Sequence, residues 1–414
     1  MMKTHAEAKA PHVSFQNYVT PTPNTAAPQQ YREAMQQAGV GSLAAPKKRW
    51  EDTWKPGPMT MMGMASTLVT VLENENFSSA QQSQALDVFN SAGTNGRMML
   101  VRLAQRQVND KSALLDTDKN GNTLLHSLHR IATQPLGAGK ESLAAEFKKT
   151  KPEITNKELL YDIMREAANP GTIVQGSKNT CSIAAIQYML VKQNPAEYVR
   201  IMQRLISEGK VELRGVTLEH VDGIGHKRNR TLEISPGSVE RDNANRPSSS
   251  RIFQAAVMDF ANGIDDYSNK KDRSTTRHKV FRSKSYQGAD NSQAQRALMG
   301  LFGNFFSLSR NFLELTSFPH PSPMYVSMNW DRRVRRDPDS FHAVVFEKVE
   351  NGRVYFRNSW RVQAPDGTEL QKGPPRRLED SSTGLESMPI LEFQKRFIGY
   401  FHDTGASMDY LLGL

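Results

Sequence analysis

The chain has almost no cysteine: Cys181 stands alone among 414 residues. A single thiol excludes an internal disulfide, so the fold draws no stability from an oxidising compartment. No apolar run approaches the roughly 18 residues that a membrane-spanning helix needs. The first residues, Met1-Met2-Lys3-Thr4-His5-Ala6-Glu7, lack the apolar core of a secretory signal. Folding is therefore expected in the cytoplasm of the producing cell. Any secretion would use a route that reads no cleavable apolar signal. Zinc-finger spacings and RNA-binding aromatic motifs are also missing, which ranks nucleic acid last among partners despite a net charge of +10.

That positive charge is diffuse, with two clusters. One gathers Lys270, Lys271, Arg273, Arg277, His278, Lys279, Arg282 and Lys284; the other is Arg332, Arg333, Arg335 and Arg336. Both read as solvated loops, or more sharply as a patch for an acidic protein or a phospholipid surface.

The length is ample for a buried core and suggests two or three domains. Residues 1–57 are rich in Ala, Pro, Gln, Thr and Asn and carry little apolar periodicity. They read as a flexible leader with a short helix at Gln30–Ala38, because such a segment buries too little surface to offset its ordering entropy. Residues 58–170 are expected to be helical. Ala65–Leu72, Ser79–Phe89, Arg97–Gln107, Thr123–Ile131 and Lys157–Ala167 each place apolar residues three or four apart. Within this region Asp116, Asp118 and Asn120, with Gly121, have the oxygen spacing of a calcium loop. The twelfth position is Ser127 rather than a glutamate, so a turn capping the next helix is the competing reading. His126 and His129 lie three apart on that helix without an accompanying acid at ligand spacing.

The remainder, 171–414, holds the chemistry. Behind Cys181 the residues Ile183, Ala185, Ile186, Met189 and Leu190 repeat with a helical period, and Thr180 or Asn179 is placed to cap the helix. The thiol therefore sits in a first helical turn, where the positive end of the dipole favours the thiolate. Asn194-Pro195-Ala196-Glu197 starts another helix that stops at Gly209. Further helices are expected at Ser249–Gly263 and through Ala297–Phe306. Met324–Trp330 reads as a strand, and Phe341–Val349 and Arg353–Asn358 as a hairpin around Asn351-Gly352.

Gln175 stands six residues before Cys181, His342 opens a strand, and Asn358-Ser359-Trp360 follows sixteen residues later. This set resembles the papain-like cysteine peptidases. The resemblance implies an α+β, two-lobed fold in which a helical lobe carries the nucleophile and an antiparallel β lobe carries the base. It implies Cys181 as nucleophile, His342 as base, Asn358 as the residue that orients the ring and Gln175 as an oxyanion donor. The substrate would be a protein or peptide, and no metal or cofactor is implied. Three features mark a distant member. The 161-residue step from thiol to base exceeds the usual separation of about 130–150 residues. Ser182 replaces the usual tryptophan, and Arg361 replaces the glycine after Asn-Ser-Trp. The leader also resembles the uncleaved export signals of bacterial effectors.

The hairpin register tests the set. A two-residue loop at Asn351-Gly352 places Asn358 opposite Val345 and on the face away from His342. A three-residue loop, Glu350 to Gly352, pairs Val344 with Asn358 and joins the two on one face. The triad reading therefore expects the longer loop, or a bulge elsewhere. It also expects a thiolate–imidazolium pair, with sulfur and a ring nitrogen within about 4 Å. Trp360 should cover the His342–Asn358 contact. The same residues serve a peptidase, or a deamidase or acyl-transferase acting on protein glutamine. A third reading is an inactive scaffold that binds acidic partners.

Overall fold

Apolar positions three and four apart build helices from the first described residue onward. The computed structural model describes residues 61–213, 231–234, 239–240, 246–262, 265–276, 288–317, 323–330, 341–360, 366–370 and 373–407. The leader, the helix expected at Gln30–Ala38, the basic residues 277–284 and 332–336, and Arg361 lie outside them.

Six helices come first: α1 (Met61–Asn74), α2 (Ser79–Ser91), α3 (Thr94–Gln105), α4 (Leu124–Thr133), α5 (Glu141–Lys149) and α6 (Asn156–Ala168). Side chains satisfy the orphan N–H groups at three of their starts. Ser78 and Gln81 form a capping box, Thr123 accepts from the His126 N–H, and Thr155 accepts from the Glu158 N–H. The turn before α4 uses its carboxylates on the backbone. Asp118 Oδ1 accepts from the N–H groups of Asn120 (2.7 Å) and Asn122 (3.1 Å), and Asp116 accepts from the Ala196 N–H at 3.1 Å. No cluster of three acidic, histidine or cysteine ligands occurs among the described residues. His129 pairs with Asp87 at 3.1 Å.

These helices share a core with the chain that follows. Leu100, Leu125 and Leu160 belong to the same apolar cluster as Ile183, Ile186, Leu205 and Phe253. Buried Arg106 ties the two parts together. It donates to Ala167 O at the end of α6, and to the carbonyls of Val191 (3.1 Å) and Lys192 (3.0 Å) at the end of α7 (Cys181–Gln193). One guanidinium thus serves two helix C-termini, where the dipole favours a cation. Three more long helices follow: α8 (Pro195–Glu208), α9 (Ser248–Asn262) and α10 (Asn291–Phe302). The helix expected to reach Phe306 stops earlier, because Gly303 takes φ +79°. The chain turns there into a strand that carries Phe305 and Phe306.

Three short antiparallel pairs come first: β1 (Gln107–Val108) with β2 (Lys111–Ser112), β3 (Lys210–Glu212) with β4 (Thr231–Glu233), and β5 (Asp265–Ser268) with β6 (Arg273–Thr276). The strands β7 (Asn304–Ser309), β8 (Met324–Asn329), β9 (Phe341–Glu350), β10 (Arg353–Arg357), β11 (Glu369–Leu370), β12 (Arg376–Asp380), β13 (Leu385–Pro389) and β14 (Phe397–Ser407) form one sheet. Their order is β11-β12-β13-β10-β9-β8-β14-β7, and every neighbouring pair is antiparallel. Alternation splits the side chains between two cores. Tyr325, Ala343 and Val345 join the helices, whereas Val326, Met328, Val344, Phe346, Val354 and Phe356 form a second cluster with Phe393. The architecture is α+β, a helical region followed by an antiparallel sheet.

The β9–β10 hairpin corrects the expected three-residue loop. Asn351 and Gly352 both have positive φ, +51° and +71°, and Glu350 pairs with Arg353, so the loop has two residues. This backbone matches the twist of the flanking strands. A bulge then resets the register: Tyr355 faces Lys348, but Phe356 faces Phe346, leaving Glu347 as the extra residue. The bulge is held from outside the hairpin. The Glu347 carboxylate accepts from the Tyr188 hydroxyl of α7 at 2.6 Å and from Arg357 Nε at 3.2 Å. Arg357 then faces Val345, which carries Asn358 to the Val344 position and onto the face of His342.

Gly352 sits at this left-handed corner with open space where a Cβ would be. Gly352→Ala should therefore cost only the conformational strain, about 1 kcal/mol. Urea unfolding would measure it; an unchanged midpoint would mean that the turn is relaxed in solution.

Candidate active site

His342 lies near the start of β9, opposite Met328, and is only 1% exposed. Its ring is held between two indoles. Trp360 stacks on it with centroids 4.0 Å apart and planes 19° apart, and Trp330 meets it edge-on at 4.7 Å. Nε2 contacts Asn358 Oδ1 at 3.0 Å. The Trp360 backbone N–H also points at that oxygen, at 3.1 Å. On the other side Asn358 Nδ2 donates to Glu386 Oε1 at 3.0 Å. The amide orientation follows from these partners, and with it the tautomer. Asn358 presents an acceptor to the ring, Nε2 carries the proton, and Nδ1 keeps its lone pair. Nδ1 is buried without a hydrogen-bond partner among the described residues, the Cys181 thiol included.

Cys181 is the first residue of α7, but neither expected cap is present. The Thr180 hydroxyl donates instead to Gln254 Oε1 at 2.7 Å. Gln254 continues to Gln187 at 3.0 Å, and Gln187 to Glu166 at 3.3 Å, a buried polar thread under the helix. Asn179 is clasped by Asp272, which accepts from its backbone N–H (3.0 Å) and its amide (3.0 Å). The uncapped helix start is thereby left to the sulfur. The N–H groups of Ala343 in β9, Ser182 and Cys181, with the Ser182 hydroxyl, favour its thiolate. α7 packs on the Ala343–Val345 side of the sheet, whereas His342 lies with Val344 on the opposite face. The expected direct contact is not formed: no hydrogen bond joins thiol and ring among the described residues.

Gln175 is buried beside the same elements. Its backbone N–H donates to Ser359 O at 3.1 Å, and the Ser359 hydroxyl donates to Gln175 Oε1 at 2.5 Å. Nε2 donates to Lys178 O at 2.6 Å, so one of its two hydrogens is engaged. The structure therefore joins His342 to Asn358 and Gln175 to the neighbouring Ser359, while Cys181 makes no hydrogen bond to any of the other three among the described residues.

The electrostatics correct one expectation. Burial pushes the Cys181 thiol up, against the opposing pull of the surrounding N–H groups. His342 is lowered to about 4, chiefly by burial, with the positive charge of Arg376 adding to it and the Asn358 bond opposing it. At neutral pH the resting couple is thus thiol and neutral imidazole rather than an ion pair. The physical reason is that a half-buried thiol and a buried imidazole without a shared hydrogen bond each favour their uncharged form.

Several residues around the site escaped the sequence reading. Trp330 ends a legible strand, but nothing in the pattern marked it as a wall of the histidine. Ser359 was read only as part of a triplet. Glu386 and Arg376 form a fully buried ion pair at 2.6 Å, and strand alternation alone gives charged residues of β12 and β13 no reason to face inward. No helix of the described residues is long and apolar enough to cross a membrane. No family model, curated protein or solved structure matches the chain.

A pH effect on stability follows from His342. Its folded value of about 4 lies below the ordinary 6.5, so the unfolded chain binds the proton more readily between those values. Stability is fully present above pH 6.5 and falls as the pH drops toward 4, by about 3 kcal/mol in all. Urea unfolding across that range should show the loss, and His342→Gln should flatten the slope. An identical slope in the variant would assign the effect to other groups.

Proposed function

We propose that the chain is a thiol-dependent hydrolase of amide bonds in a protein or peptide substrate, with a papain-like arrangement of helical and β lobes. The observation that carries the reading is the ring of His342. Asn358 holds it through Nε2, which leaves the unpaired Nδ1 as the proton acceptor, and Ala343, the next residue on that strand, belongs to the core against which Cys181 packs.

The reaction runs on these groups. When substrate enters and the side chains close up, the thiol proton passes to Nδ1 of His342. The sulfur forms a bond to the carbonyl carbon, and the carbonyl electron pair moves to oxygen. The N–H of Cys181 and the second amide hydrogen of Gln175 are the donors for that oxyanion. His342 then gives its proton to the departing amine as the C–N bond breaks, leaving a thioester. Water attacks the thioester and surrenders a proton to His342. That proton returns to sulfur as the C–S bond breaks, releasing the acid. The lowered value keeps the resting imidazole unprotonated above about pH 4, and the proton transfer must then be driven by formation of the C–S bond. The uncapped helix start stabilises the thiolate as it forms.

The test uses a peptidyl epoxide as the electrophile and a quenched fluorescent peptide library as substrate. Wild-type protein should be labelled at Cys181 and should cleave peptides. Cys181→Ala and His342→Ala should do neither while keeping the native circular dichroism. Labelling at full rate in His342→Ala would remove the base assignment. Release of ammonia without backbone cleavage would move the reaction to glutamine deamidation at the same site.

Gln175 has its own outcome. Gln175→Glu keeps an acceptor for Ser359 but removes the amide donors, and kcat should fall by roughly 10²–10³. Full kcat in that variant would leave the oxyanion to backbone donors alone.

A further inference from the structure

The cluster behind Asn358 closes on itself. Arg376 Nε donates to Glu386 Oε2 at 2.6 Å, and Asn358 Nδ2 donates to Glu386 Oε1 at 3.0 Å. The Arg376 guanidinium lies 4.8 Å from the Trp330 ring centre, and Trp330 walls the ring of His342. Glu386 is 0% and Arg376 4% exposed. Even the backbone yields to this arrangement. Gly373 has φ +87°, and a Cβ there would lie 2.8 Å from Trp330 Nε1 and 3.1 Å from Arg376 Nη1.

Resting on the hydrolase reading, we infer that Glu386 and Arg376 are positioning residues that lock the amide of Asn358, and through it the proton of His342. A carboxylate has only acceptors, so it compels Asn358 to present Nδ2 to it and Oδ1 to the ring. Oδ1 in turn compels Nε2 to carry the proton, which leaves Nδ1 as the base. Arg376 does the same for Glu386: a guanidinium is only a donor, so both carboxylate oxygens stay acceptors. The choice of base nitrogen is thus relayed from a cation on β12 to the imidazole on β9, through one carboxylate and one amide.

Neutral replacement separates this relay from mere packing. In Glu386→Gln the new amide must either point its NH₂ at Arg376, donor against donor, or turn it toward Asn358. Turning is the lesser conflict, and it flips the Asn358 amide at the cost of the bond from the Trp360 N–H to Oδ1. The flipped amide presents NH₂ to Nε2, which must then lose its proton to Nδ1. Removing the cation cancels the conflict, so adding Arg376→Met should restore the original order.

The measurement is long-range ¹H–¹⁵N correlation of ¹⁵N-histidine-labelled full-length protein at pH 7, with His342→Gln to assign the ring. Wild type should show the proton on Nε2. Glu386→Gln should move it to Nδ1, and Glu386→Gln/Arg376→Met should return it. On the peptide library, kcat should fall by about 10²-fold or more in the single variant with KM nearly unchanged, and recover in the double variant. In serine triads the wrong tautomer costs up to about 10⁴. If Glu386→Gln does not fold, Glu386→Leu/Arg376→Met removes the acceptor without leaving a buried charge. A mixture of tautomers is expected there. An unmoved proton in whichever variant folds, or a double variant as impaired as the single one, would overturn the lock. If wild type neither cleaves nor labels, the hydrolase reading fails, and the tautomer measurement still decides the lock.

Discussion

The 3.0 Å contact between His342 and Asn358 depends on one surplus residue in β9. A regular two-residue hairpin would put these side chains on opposite faces of the sheet. Glu347 breaks the pairing, and every residue of β10 beyond Tyr355 changes its partner by one. The surplus is tied down by Tyr188 on the helix that begins with Cys181. The helix carrying the thiol therefore also helps to set the register on which the histidine and its orienting amide depend.

The surroundings of the two groups differ in kind. The sulfur lies at a helix start stripped of its usual cap, because the Thr180 hydroxyl and Asn179 are engaged with Gln254 and Asp272. The N–H groups at that start oppose the rise that burial gives the thiol. The imidazole lies in a dry aromatic slot that penalises its cation. Burial thus disfavours charge on both groups.

Much of this could be read along the chain, and some could not. The helices with strong apolar periodicity were legible to within a few residues, and so was the Cys181 helix with its partner at Pro195. Short α5 was missed because only Leu143 and Phe147 anchor it. The helix through Phe306 was extended too far because a glycine stop outweighed a run of apolar residues that suits either period. For the hairpin, pairing arithmetic leaves two solutions, a three-residue loop or a bulge elsewhere, and cannot choose between them. The structure answered with a bulge, held by contacts from another element.

The sequence by itself determined the class of chemistry to look for. It singled out one thiol at a helix start, a histidine opening a strand and an Asn-Ser-Trp triplet at a fixed distance, because those depend on local spacing and backbone period. Only tertiary structure decided how they are held. The register of Asn358, the charge state of the thiol–imidazole couple, the placement of Trp330 and the burial of Glu386 with Arg376 all arise from residues far apart in the chain. Burial and hydrogen-bond direction are properties of packed neighbours, and no linear pattern encodes which neighbours those will be.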